Sequence, residues 1–408
     1  MSPSVKPRDA KAVEEAVQWA VSEGKTLEIV GAGSKRAIGR PTQTDATLDL
    51  SGLSGITLYE PEELVLSARA GTPLKEIEIL LASRGQQLAF EPMDCGPVLG
   101  GSSGAATIGA VLATNLSGPR RIKAGAARDH FLGFHAISGR GEAFKSGGRV
   151  VKNVTGYDLC KLMAGSWGTL AALTDVTLKT LPMAETEETV LVHGLETQAA
   201  VSAMAGAMGS AADVSGAAHV PADIAACMPL GPMASASAAV TALRLEGFAP
   251  SIGHRKELLE KLLRRFGELG TIGPAASQSF WRAVRNATPF TVGAADTPLW
   301  RLSIPPSRAA ELAARVFKET GARLLFDWAG GLVWVALASG NDAGAAIVAR
   351  AVGATGGHAL LVRATPCMRA TVDVFSRQEP TLAALTKRVK ESFDPKGVLN
   401  PGRMWAGV

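Results

Sequence analysis

The sequence predicts an α+β protein made of two differently built units, and three observations carry that prediction. Of the 408 residues, 47% are hydrophobic and 19% charged, enough for more than one large core and too apolar for a disordered chain. The 45 glycines exceed the usual share of ~7%, follow no G-X-Y period and cluster between Gly96 and Gly168, where backbone must approach something closely. After an acidic, proline-bearing stretch at 182–188 the pattern becomes β-α-β-β-α-(α)-β-α-β-β-α-β. That order suits antiparallel sheet with helices on one face, a ferredoxin-like layer with possible duplication. The expected division is a first unit over 1–182, a second over 183–390 and a C-terminal segment over 391–408.

Element by element, Asp9 caps a helix over 9–22, because Val13, Ala16, Val17, Ala20 and Val21 recur at helical spacing. Residues 26–30 form a short buried strand ending at Gly31; 46–50, 56–58 and 64–69 are further strands. A helix over 73–84 has Pro73 near its start and Gly85 past its end. The Gly/Ser/Thr-rich stretch 95–125 holds one short helix, 107–113. Strand 131–138 leads into a turn at 139–141, a short helix spans 158–163, and strand 171–181 stops at Pro182. The second unit reads as strand 189–195, helix 197–208, strands 211–219 and 238–247, and helices 251–268 and 278–287. Strand 299–304, helix 307–320, strands 322–327 and 332–338, helix 342–352 and strand 358–363 follow. Helix 380–393 leads into the run DPKGVLNPGR at 394–403.

Composition excludes several classes of function. The net charge is +5, with no basic arm and no like-charge run, which speaks against nucleic acid. The four cysteines, Cys95, Cys160, Cys227 and Cys367, form no CxxC, and the six histidines form neither HExxH nor HxH, so no protein-ligated metal is expected. No signal peptide is visible at the N-terminus, and the most apolar region, 199–243, is broken by Asp213, His219, Pro221 and Asp223. A cytoplasmic location is expected, with at most peripheral membrane association.

Four motifs carry chemistry. Gly31-Ala32-Gly33-Ser34-Lys35 follows a strand; it is either a plain tight turn or a nest of backbone N–H groups that cradles a diphosphate, with Ser34 and Lys35 adding a hydroxyl and a charge. It is neither GxGxxG nor a P-loop. The run Gly100 to Pro119 is either a linker or, because Ile108, Val111 and Leu112 keep helical spacing, a platform of small residues for a flat polyanion. Within it, Asn115 and Ser117 can bond a ring edge. Arg128-Asp129 reads as a structural ion pair at a strand start or as part of a site, and His130 as a core histidine or a base. The runs 147–159 and 165–174 add two more glycine loops close by.

Taken together, loop 31–35, TIG at 107–109, ATN at 113–115, GPRR at 118–121, RDHFLG at 128–133, VVKNVTGYDL at 150–159 and GSWGTL at 165–170 resemble the flavin-binding domain of the vanillyl-alcohol-oxidase and p-cresol-methylhydroxylase (PCMH-type) superfamily. DPKGVLNPGR looks like that superfamily's C-terminal return to the flavin. KNVTGYD, GPRR and FWRAVRN at 280–286 are similar to the FAD-binding subunits of glycolate oxidases. The resemblance covers about 27–182 and 391–403 by motif and the middle by layout.

The resemblance implies a PCMH-type FAD-binding domain followed by a ferredoxin-like cap. Gly31, Ala32, Gly33, Ser34, Lys35, Thr107, Ile108 and Gly109 would hold the pyrophosphate of FAD. Asn115, Ser117, Gly118 and Asp158 would lie near the flavin or its ribityl chain, Leu173 and Thr174 near the adenine end, and Asn400 on the returning segment. Position 35 is Lys where some relatives carry a flavin-linking histidine, so non-covalent FAD is expected. Two departures stand out: TIGG is reduced to Gly109-Ala110, and the HxGDGNxH stretch of hydroxy-acid dehydrogenases has no counterpart. The implied function is an FAD-binding subunit of a glycolate (2-hydroxy acid) oxidase or dehydrogenase complex, with a paralogous catalytic flavoprotein and an iron–sulfur subunit as partners. One alternative is an autonomous dehydrogenase, with Arg363 or Arg369 clamping a carboxylate and His358 or Tyr157 near the base position. Another is a flavin-binding scaffold that does not turn over.

Overall fold

A computed structural model describes residues 3–149, 156–229, 238–291, 297–338 and 340–408. Residues 150–155, which carry most of the VVKNVTGYDL run, lie outside the described residues.

The first helix, Ala10–Ser22, starts where expected, because the Asp9 side chain accepts the Ala12 N–H at 2.8 Å. Its apolar stripe of Val13, Val17 and Ala20 packs on Leu27, Leu48 and Leu53, in a core that also takes in Val398 and Leu399. The sheet beneath is parallel, with Ser4–Val5 and Leu27–Val30 flanking Ala46–Asp49. The end of the chain joins it: Leu27 donates to the Val398 carbonyl at 2.8 Å, and Asn400 donates to the Leu27 carbonyl at 2.9 Å.

A second, antiparallel sheet runs Ile56–Glu60, Val65–Arg69, Ala171–Lys179, Phe131–Ser138, Ala143–Gly147. Helices Leu74–Ala82 and Ile108–Thr114 cover it through Leu74, Ile77, Leu81, Ile108, Val111 and Leu112. The strand Ala143–Gly147 escapes sequence reading because its AFKSG offers one large apolar side chain and no alternation.

The remaining strands form one eight-stranded sheet, ordered Leu269–Ile272, Thr186–His193, Val240–Gly247, Gly216–Val220, Arg323–Asp327, Leu332–Ala336, Leu299–Ser303, His358–Arg363. Each half of it is a βαββαβ unit with its fourth strand beside its first, the ferredoxin-like order, and the halves meet edge to edge where His219 pairs with Phe326. The duplication in the sequence pattern is thus one continuous sheet. The helix expected over 251–268 ends at Leu263, and the strand Leu269–Ile272 takes up the chain after it. LGTI is too short to register as a strand pattern. A further short helix, Pro366–Thr371, is capped by Thr365.

A buried ionic network ties the eight-stranded sheet to the first half. Arg244, with its side chain 1% exposed, donates to Glu91 from Nη1 at 2.9 Å and from Nη2 at 3.1 Å. Glu91 also accepts the Arg120 N–H at 2.6 Å, and Arg120 reaches back to Glu246 at 2.8 Å. Apolar contact is continuous across the same boundary, since Met93, Cys95, Val98, Leu116 and Trp167 belong to the core of the large sheet.

Candidate functional site

The parallel strand Leu27–Val30 ends in the glycine loop, and the loop lines a cleft with about 90 Å³ of free space. Its walls include Gly31, Gly33, Ser34, Lys35, Thr107, Gly109, Leu173 and Asn400 from the expected set, together with Ala113, Trp167, Gly168 and Arg403. Gly33 sits at φ +75°, a left-handed position that glycine takes without steric cost. The following residues turn back on the loop, with Arg36 N–H on the Gly33 carbonyl and Ile38 N–H on the Lys35 carbonyl, both at 3.0 Å. Among the described residues, no backbone N–H from 31 to 35 finds a backbone acceptor.

Two side chains make the cleft chemically specific. Lys35 Nζ and Thr107 Oγ1 are both buried and have no hydrogen-bond partner. Buried polar atoms are normally paired, so an orphaned ammonium and an orphaned hydroxyl beside a run of free N–H groups describe a receptor for an anion. An FAD diphosphate is such an anion, and these residues fit it. Gly31 lies so close to Thr107 that an added Cβ would collide with Oγ1 and stand 3.2 Å from Cγ2, so loop and helix are held at the separation of bare backbone.

The floor comes from the far end of the sequence. Asn400 Oδ1 accepts the Ile29 N–H at 2.7 Å, and its Nδ2 donates to the Trp167 carbonyl at 2.7 Å. Gly168, at φ +71°, lets the amide in, since a Cβ there would stand 2.7 Å from Asn400 Nδ2. Arg403 donates to the carbonyls of Lys35 and Arg36 at 3.0 and 3.1 Å and so fixes the loop from below. Burial holds its guanidinium below the usual value, at about 10. Lys390, buried, donates to the carbonyls of Thr169 and Leu399 and to Asp394, at 2.6, 2.9 and 2.6 Å, which locks the returning segment. Arg403 was legible only as part of the NPGR run; its hold on the loop depends on a contact 368 positions away.

The remaining sequence candidates stand outside this cleft or, like Gly109, line it without a free amide. Ile108 is fully buried and its N–H donates to the Thr72 carbonyl, while the Gly109 N–H donates to Ala70, so neither amide is free for a phosphate. Ala32 is not among the lining residues. Asn115 is a left-handed helix cap whose Oδ1 accepts the Arg128 N–H at 3.1 Å. Ser117 Oγ accepts the Ala127 N–H at 3.0 Å, and the Gly118 carbonyl accepts the Trp328 indole at 3.0 Å. Asp158 caps the helix Leu159–Met163 and pairs with Lys161 on the surface. Thr174 is buried, and its carbonyl accepts the Ala70 N–H. Arg363 is spent on the carbonyls of Thr297, Val98 and Phe290, while Arg369 donates from Nη1 to the Gly39 carbonyl and keeps a buried Nε without a partner. Tyr157 is exposed. Asp129 caps Ala126 and pairs with Arg128, and His130 is a core histidine on the Ala124 carbonyl, its pKa lowered by burial. Burial raises the Cys95 thiol and pushes Cys160 up to about 12, so neither is a thiolate at neutral pH. Among the described residues no cluster of His, Cys, Asp or Glu could hold a metal, and no helix is long and apolar enough to cross a membrane.

Lys35→Met is expected to weaken FAD binding by about 1–2 kcal/mol, as for one lost charge-assisted bond, with unfolding by urea little changed. Fluorescence titration of the apoprotein with FAD measures it; equal affinity would make the loop an ordinary turn.

Comparison with known proteins points the same way. Residues 3–147 match the model of an FAD binding domain, and 373–404 that of the C-terminal domain of FAD linked oxidases. The chain is 33% identical over 398 residues to glycolate oxidase subunit GlcE of Escherichia coli (strain K12), covering 97% of each. It is 30% identical over 151 residues, 37% of this chain and 30% of the relative, to glycolate oxidase subunit GlcD of Bacillus subtilis (strain 168). Among solved structures, p-cresol methylhydroxylase with substrate bound superposes with a TM-score of 0.72 over 98% of this chain and 88% of that one, at 14% identity, which shows a shared fold.

Proposed function

The chain belongs to the GlcE family of FAD-linked oxidases, and from that premise we propose that it is the FAD-binding subunit of a multisubunit glycolate (2-hydroxy acid) oxidase or dehydrogenase, in which glycolate becomes glyoxylate. The observation that carries the reading is the paired orphaning of Lys35 Nζ and Thr107 Oγ1 beside the free N–H groups of 31–35. When bound, FAD supplies an acceptor for the hydride that leaves the alcohol carbon. The chain's own residues bind and orient it: the loop and Lys35 neutralise the diphosphate, and Asn400 and Arg403 hold the loop in its binding shape. In this reading 1–182 with 391–408 hold the flavin and 183–390 cap it. With Lys35 at the position where some relatives carry the linking histidine, acid or heat should release all of the FAD into the supernatant; flavin left on the denatured chain would refute non-covalent attachment.

Oxidising a 2-hydroxy acid also requires a base for the hydroxyl proton, worth ~10²–10⁴ in rate. No paired histidines stand in the second half, and His358 is single. A paralogous catalytic flavoprotein, GlcD-like, therefore supplies the base, and an iron–sulfur subunit carries the electrons away. The test is anaerobic: glycolate added to the isolated subunit should bleach its flavin very slowly, and adding the flavoprotein and iron–sulfur subunits should restore turnover. Rapid bleaching of the isolated subunit would instead favour an autonomous dehydrogenase, with His358→Ala the first variant to make.

A further inference from the structure

Arg301 has no apparent employment. It lies on the strand Leu299–Ser303 with 8% of its surface exposed, its Nη2 is buried without a partner, and among the described residues its guanidinium makes no hydrogen bond and no ion pair. It lies 4.8 Å over the indole of Trp328, and Arg121, from the GPRR run of the first half, lies 4.3 Å over the same indole. Two guanidiniums thus share one aromatic platform at the boundary between the halves. The Arg121 guanidinium likewise makes no ion pair or hydrogen bond among the described residues.

The surroundings do not cancel this charge. Asp327 turns its Oδ1 to the Trp328 N–H at 2.7 Å, and burial pushes its carboxyl up to about 7, so it is at most a partial counter-charge. Burial and the neighbouring Arg121 hold Arg301 well below its usual value, at about 10. His358 stands opposite Ser303 in the sheet, on the same face as Arg301, and partial desolvation with the fields of Arg301 and Arg121 lowers its pKa. The platform is built at a cost: Trp328 and Ala329 are consecutive non-glycine residues at φ +52° and +55°. Trp328 is pinned there by its indole N–H on the Gly118 carbonyl at 3.0 Å. A buried guanidinium without a partner marks a place for an anion, and the half-buried Arg121 on the same indole adds positive charge beside it.

We propose that Arg301 and Arg121, on the Trp328 platform, form the site where this subunit binds a small carboxylate. The identification of that carboxylate with the 2-hydroxy acid rests on the function proposed above; the anion site itself does not. It offers the clamp that Arg363, engaged with three carbonyls, does not provide.

The experiment is isothermal titration of the purified holoprotein with oxalate, with inorganic phosphate in parallel, on wild type, Arg301→Met and Arg121→Gln. Oxalate should give saturable heat in the wild type and bind more tightly than phosphate. Both variants should weaken oxalate binding by at least about tenfold, as expected for a lost bidentate charged contact. Should Arg301→Met fail to fold, Arg121→Gln carries the same test from the less buried side. No saturable heat in the wild type, unchanged affinity in the variants, or phosphate binding as tightly as oxalate would each overturn the proposal. The flavin absorbance of the same samples separates the two readings. Flavin without oxalate binding removes the anion site alone, and oxalate binding without flavin removes the proposed function alone.

Discussion

Gly31→Val is expected to strip the protein of FAD. A Cβ at position 31 collides with Thr107 Oγ1, and the branch atoms of valine extend into the space between loop and helix. Overpacking of this kind costs ~1–3 kcal/mol, and here the strain falls on the loop whose N–H groups form the cradle. Each ~1.4 kcal/mol is a factor of ten, so the dissociation constant for FAD should rise by about one to two decades. The ratio of flavin to protein absorbance after gel filtration measures it. Gly253→Ala, in the helix Ala249–Leu263 with nothing within 4 Å of its new methyl, is the control and should keep its flavin. A fully loaded Gly31→Val protein would remove the cleft as the FAD site.

Glu91→Gln should produce the largest loss of stability, about 3–5 kcal/mol, because it leaves Arg244 and Arg120 buried with Glu246 as their remaining acid. The urea midpoint reports it. The same carboxylate gives the fold an acid limb. Burial would raise its pKa, but Arg244 and Arg120 outweigh that and hold it at about 2, below its ordinary 4.5. A depressed acid stabilises the fold fully above its unfolded pKa and loses that contribution as pH falls through its folded one. The stabilisation, of order 3 kcal/mol, is therefore present above about pH 4.5 and drains away towards pH 2. In Glu91→Gln the fall in stability over that range should be shallower; an unchanged acid limb would assign it to other carboxylates.

Sequence reading reached the glycine loop because its chemistry is contiguous: strand, turn, hydroxyl and lysine occupy 31–35 in order. It reached the duplicated ferredoxin-like layout because βαββαβ leaves a periodic trace in each half. It did not reach Arg301. Arginines 301 and 363 look alike in a sequence, and what separates them is whether carbonyls from distant segments such as Val98 and Phe290 already occupy them. Asn115, Ser117 and Asp158 carry a related ambiguity. Side chains suited to a ligand edge are equally suited to a helix cap or a turn, and the local backbone claimed them first. The strands Ala143–Gly147 and Leu269–Ile272 carry too little apolar pattern to announce themselves and exist because a neighbouring strand pairs with them.

The hydrogen bond from Ile29 to Asn400 spans 371 positions, and that span is also an interval of time. Ribosomes add about 5–20 residues per second, so the loop emerges roughly 20–75 s before the amide that braces it. Throughout that interval the nascent loop lacks Asn400 and Arg403, the two side chains that hold its backbone in place from the far end of the chain. Stable capture of the cofactor then belongs to the last moments of synthesis, and a chain stalled or cleaved before residue 400 should be made, partly folded and colourless.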